Sequence, residues 1–137
     1  MQVWTYDMLN DKAALVVIAT PTKVVETSEL MVFPNITTVY PNGQQRPVKG
    51  KGVETTFKVL TVLKGEPDIK QLILHHYSPA STPAGGEPML VSFKAEGKKQ
   101  YLMFLRKEAD GRYVAVSGQT DPQFSFIGFD PNFVMVK

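Results

Sequence analysis

No cysteine occurs among the 137 residues, so disulfide staples, thiol nucleophiles and cysteine-ligated zinc are all excluded. That absence leaves the compartment open, because a protein that needs no disulfides folds on either side of a membrane. Histidine is nearly missing too, with two copies that stand side by side at His75 and His76. Neither sign of charge dominates, since 15 basic and 13 acidic residues leave a net charge of +2. Such a balance gives no reason by itself to expect nucleic acid or an anionic membrane as partner. The longest apolar run, residues 13–19, is far short of the roughly 20 residues that a membrane helix needs. No membrane span is therefore expected. No basic stretch precedes the run, so no signal peptide is read in this chain.

What is present is ordinary globular material. A content of 43% hydrophobic and 20% charged residues argues against disorder. A chain of this size buries roughly two thirds of its unfolded surface and needs no metal to fold. One domain spanning residues 1–137 is expected.

Thr5 followed by YDMLNDKAA reads as a short helix, with Thr5 as N-cap and Tyr6, Leu9 and Ala13 on one face. The lone Trp4 is expected to anchor this segment to the core. β-Branched residues then favour a first strand from residue 15 to about 26, covered on both faces at its start and exposed later. Pro21 implies an edge, a bulge or a bend within it. Residues 27–52 read as an irregular excursion, inside which TTVYPNGQQRPV resembles a hairpin turned at Asn42-Gly43. The triplet Asn35-Ile36-Thr37 matches a glycosylation sequon of low specificity.

The clearest strand is VETTFKVLTVLKG, residues 53–65. One of its faces turns from polar to apolar halfway along, as expected of a strand bent from one part of a barrel into another. KQLILHHY is a third strand, and YLMFLRKE and RYVAVSG form a hairpin about Ala109-Asp110-Gly111. The tail QFSFIGFDPNFVMVK is expected to form a further strand or a short helix over the barrel end. With no helical crossovers, these elements predict a mainly β fold. The expectation is a small antiparallel OB-like barrel of five or six strands with a short N-terminal helix.

KAALVVIATPTKV, FKVLTVLKG and YLMFLRKEADGRYVAVSGQTD resemble segments of small bacterial OB-fold proteins. Those proteins are akin to the N-terminal, netrin-like domain of tissue inhibitors of metalloproteinases. The resemblance covers residues 7–65 and 101–121 and implies an OB-type barrel and an extracytoplasmic location. In those inhibitors an N-terminal cysteine chelates the target's zinc through its amine and carbonyl. This chain begins with Met1 and has no cysteine, so no inhibitory residue carries over.

Catalytic patterns are sparse. Successive strand residues face opposite ways, so His75 and His76 do not readily share one metal ion, and structural or surface histidines are the expectation. A metal role would need distant ligands such as Glu54 or Asp121. Ser78 and Ser81 lie in no nucleophile elbow. The acids Glu66, Asp68, Glu108 and Asp110 sit in turns and are expected to be solvated. Gly85-Gly86 lacks the lysine of a phosphate loop. No catalytic residue, metal or cofactor is expected, and the chain reads as a non-enzyme.

Binding is the favoured class. An OB barrel can hold single-stranded nucleic acid, and Tyr77, Tyr101, Phe104 and Tyr113 with Lys58, Arg106, Lys107 and Arg112 would supply that surface. The interspersed acids disfavour it. A protein partner is the preferred expectation, with Met31, Phe33, Ile36, Phe124, Phe126, Phe129 and Phe133 as its candidate surface and self-association as a further use of the same residues.

Overall fold

Helix α1 spans Tyr6–Lys12 in the computed structural model, which describes residues 4–39, 41–79, 91–95, 98–119 and 122–129. Thr5 caps it as expected, its Oγ1 accepting from the Met8 backbone N–H at 3.2 Å. At the other end the Lys64 ammonium donates to the Asn10 carbonyl, where a cation also suits the helix dipole. Leu9 and Ala13 are buried, whereas Tyr6 remains mostly exposed and rests edge-on against Phe104.

Strand β1 (Leu15–Val39) and β2 (Gln45–Lys64) form one long hairpin. The turn is where Asn42-Gly43 placed it, and Gly43 supplies the positive φ of 84° that the turn requires. The excursion expected over residues 27–52 is instead continuous ribbon, paired out to Val39↔Gln45. The polar and proline-containing stretches that suggested irregularity are absorbed by register shifts at Glu26/Leu30 and Phe33/Thr37. A bulge lodges extra residues without ending the ladder. Pro21 also sits at a shift, and the β1 ladder to β4 stops just before it, at Ala19↔Tyr101. A residue without an N–H costs least there.

Strand β3 (Gln71–Pro79) follows, then β4 (Gln100–Lys107), β5 (Tyr113–Ala115), a 3-10 turn (Pro122–Ser125) and β6 (Phe126–Phe129). The strands close a ring in the order β1–β2–β3–β5–β4–β1. All pairings in it are antiparallel except a single parallel bridge, Leu74↔Tyr113, which joins β3 to β5. The fold is mainly β, a small OB-like barrel with one short helix, as expected. Both forms foreseen for the tail occur, a helical turn and then β6, which pairs with Gln100–Met103 of β4.

The barrel interior holds Val17, Phe57, Leu74, Phe93, Met103 and Leu105. Alternation sends Val16 and Phe104 outward, where α1 and Trp4 cover them in a second apolar layer. Within β2 the inward set changes parity. Val53, Thr55 and Phe57 point inward, but Val62 is the residue packed against the core further on. The register passes from Ala19↔Val59 to Ile18↔Thr61 and from Val17↔Val62 to Val16↔Lys64, so Leu60 and Leu63 are extra residues. They account for two exposed leucines, at 43% and 55%. Strict alternation, as read in the sequence, puts Leu60 and Val62 on one face; the two bulges break it, leaving Leu60 exposed while Val62 packs on the core.

Burial at zero exposure predicts that Phe57→Ala lowers the unfolding free energy in urea by about 3–5 kcal/mol. Leu60→Ala, at a bulge, should cost less than about 1 kcal/mol in the same titration.

Candidate functional site

Strand β3 divides its two histidines between opposite sides of the sheet. His76 shares the inward side with Leu72 and Leu74 and meets the Phe93 ring edge-on at 5.3 Å. Its Nε2 lies 2.7 Å from the Thr55 hydroxyl, which the β2 alternation also directs inward. Burial, reinforced by the neighbouring charge of His75, lowers its pKa from 6.5 to about 4. His76 is therefore a neutral core residue.

His75 faces outward yet is equally hidden, its side chain 5% exposed. A polar cluster covers it. Nε2 lies 2.7 Å from Glu29 Oε1, and Nδ1 lies 2.8 Å from Glu108 Oε1. Both carboxylate oxygens can only accept, so every contact is met when both ring nitrogens carry hydrogen. The Gln119 side chain donates to the His75 carbonyl at 2.9 Å and holds this stretch of β3 in place. Burial, then the charge of Glu29 and a hydrogen bond to it, push the Tyr77 phenol up to about 12. That hydroxyl thus stays a donor to Glu29 at ordinary pH.

Two local devices bring Glu29 across. Between Glu26↔Val53 and Leu30↔Lys51 strand β1 carries two more residues than β2, a bulge stiffened by the Glu29 N–H donating to Thr27 Oγ1 at 3.2 Å. A bulge re-aims a side chain, and this one turns Glu29 over the neighbouring strand. On β2 the residue beneath it is Gly52. A Cβ there would stand 2.8 Å from Glu29 Oε1 and 2.9 Å from Glu29 Cβ, and would collide with Thr27 Oγ1. The carboxylate reaches β3 through the space that glycine leaves.

The β4–β5 hairpin supplies the far side. Arg112 binds Asp110 at 2.8 Å and Glu54 at 3.3 Å, with Glu108 at 3.7 Å. The Arg112 backbone N–H, then its guanidinium, hold the Asp110 carboxyl below its usual range. Glu54 is the cross-strand neighbour of His75. Glu108, expected to be a solvated turn acid, instead reaches His75 on β3, whereas Asp110 stays exposed as expected and pairs with Arg112 inside the hairpin. Next to it a cleft of about 380 Å³, lined by Glu66, Ile69, Ile73, Lys107 and Tyr113, opens between the β2–β3 turn and the hairpin.

The cluster cannot act as a chelate in this arrangement, since the two carboxylates occupy different ring nitrogens. Among the described residues no three His, Asp or Glu side chains converge as metal ligands would. Asp121, like Ser81 and Gly85-Gly86, lies outside the described residues.

The candidate partner residues fall in two places. Met31 is half-buried on β1, and Phe33 and Ile36 belong to the β1 backbone of the ribbon. Phe124 lies in the 3-10 turn, while Phe126 and Phe129 lie on β6 and are half-buried. Phe126 turns inward and meets Phe93 at 5.6 Å. Phe133 lies outside the described residues. No strand pairing among the described residues joins the ribbon to β6, so the two groups are not one surface built by the sheet. Exposed apolar side chains occur instead at Leu30 and Val32, 68% and 51% exposed. The aromatics considered for base stacking are turned away, with Tyr77, Phe104 and Tyr113 buried and Tyr101 packed edge-on against Phe57 and Phe93.

Reading by sequence missed Glu29 and Glu108. The available signal was Gly52, a glycine inside an otherwise apolar–polar strand, which marks close approach by another group. Compared with known proteins, the chain matches no family model and no curated sequence.

The depressed pKa of His76 predicts acid sensitivity. The unfolded imidazole protonates near 6.5 and the folded one near 4, so the stability is intact above 6.5 and drains away as pH falls toward 4. Urea titrations across this window should register a loss of about 3 kcal/mol that His76→Gln removes. Parallel curves for the two proteins would contradict the assignment.

Proposed function

We propose that the chain is a non-enzymatic binding module, an OB-like barrel that presents its β1–β2 ribbon to a partner protein. The observation that carries this reading is the apolar line on the ribbon. Leu30 and Val32 lie two residues apart, hence on one face, and are largely exposed. Water-exposed aliphatic side chains on a projecting strand are covered favourably by another protein surface. Val24 and Val25, at 39% and 41%, continue the exposure down the same strand. The extracytoplasmic setting rests on the resemblance to netrin-like domains.

Single-stranded nucleic acid is the weaker reading. It needs aromatic faces open to bases, and the tyrosines in question are buried or packed. It also needs free cations, whereas Arg112 is engaged by three acids. Glu29, Glu54, Glu108 and Asp110 crowd the β2–β3 side that OB barrels commonly offer to ligands.

Crosslinking in periplasmic or secreted extract should yield one dominant adduct. A Leu30→Ser, Val32→Ser double variant, with an unchanged unfolding midpoint, should lose it. An adduct that persists at equal yield defeats the ribbon assignment, as does a mobility shift with short oligonucleotides that fades as salt rises. Sedimentation of the pure chain as a dimer that the double variant abolishes would make the partner a second copy.

A further inference from the structure

We propose that Glu29 is a clasp that sets the ribbon, residues 30–50, against the barrel, and that its withdrawal from His75 releases the ribbon while the barrel stays folded. Among the described residues, the ribbon past Gly50 pairs only with itself. The ladder to β3 ends at Gly50↔Pro79, and the ladder from β1 to β4 ends at Ala19↔Tyr101. An isolated two-stranded ribbon is marginally stable in water, so its orientation depends on what fastens its base. The nearby Lys51–Glu26 pair, at 2.9 Å with both side chains exposed, fastens β1 to β2 and not to the barrel.

Glu29 does reach the barrel, and the contact is asymmetric. Its socket is fixed: His75 is buried, held from behind by Glu108 and through its carbonyl by Gln119. The latch itself is 43% exposed and stands on a bulge, a point where a strand bends readily. Gly52 beneath it removes the side chain that would block the seat. A bulge, a glycine and a buried imidazole on three successive strands thus serve one carboxylate. Each weakens a plain sheet, since the bulge interrupts the ladder, the glycine forgoes side-chain packing and the imidazole leaves water. Together they give a joint that can open without disturbing the interior layer of Phe57 and Leu74.

Amide hydrogen exchange on the full chain tests this. In Glu29→Ala the amides of residues 30–50 should exchange at least about tenfold faster than in the wild type, the scale of one lost charged hydrogen bond. Amides of residues 53–57 and 101–105 should keep their rates. Gly52→Ala should reproduce the pattern, and a Glu29→Ala, His75→Gln double variant should add nothing to the ribbon rates of Glu29→Ala. Unchanged ribbon rates in either single variant overturn the proposal. So does acceleration of ribbon and barrel together, or a ribbon already unprotected in the wild type.

Discussion

Strict alternation of side chains is the constraint on which this molecule turns. A strand residue points in or out, and the choice propagates along the whole strand unless an extra residue resets it. β2 must serve the barrel wall through Phe57, the barrel end near Val62 and the ribbon beyond Gly52. The wall at Phe57 and the end near Val62 do not share one parity. The insertions at Leu60 and Leu63 reset it there, whereas the mismatch at Thr27–Glu29 adds two residues to β1, which keeps the parity and re-aims Glu29 locally. Ring closure needs strands that coil, and bulges increase local twist. The single parallel bridge Leu74↔Tyr113 then completes a ring that the long hairpin has already curved.

The same rule explains why two neighbouring histidines end in unlike chemistry. His76 is driven into an apolar interior, where charge is penalised and a hydroxyl is its partner. His75 is driven outward and would meet solvent on a plain sheet. It is enclosed because the ribbon base and the β4–β5 hairpin both lean over β3 and direct carboxylates at it. One residue of offset separates a neutral core side chain from the centre of an ionic cluster.

Much of the fold was legible because it rests on local signals. The Thr5 cap and the Asn42-Gly43 and Ala109-Asp110-Gly111 turns each act over a few residues, whereas the bulges at Leu60 and Leu63 left no such signal. The excursion at 27–52 misled because polar residues and three prolines suggest a loop, whereas a bulged ribbon tolerates both. The site was hardly legible. Glu29, Glu54, Glu108 and Arg112 lie up to 83 residues apart, and only the pairing of β1, β2 and β3 with the hairpin return assembles them. Turn acids are normally solvated, and nothing near Glu108 announces that its hairpin folds back onto an imidazole 33 residues earlier.

The cluster's value is directional more than energetic. Taking charged groups out of water costs about what their mutual attraction returns, so such networks add little net stability even when every contact is met. Apolar packing around Phe57 and Leu74 already holds the barrel. What packing cannot do is fix the angle of a ribbon that pairs with no third strand among the described residues. A carboxylate seated between an imidazole and a phenol can, because hydrogen bonds to a charged acceptor are short and oriented. Removing Glu29 would leave the buried His75 imidazole with one of its two carboxylates, and the charged hydrogen bond that reaches across from β1 would be lost. On the proposed reading the polar face of β3 is the fastening point, and the exposed Leu30 and Val32 are what the ribbon would offer another surface.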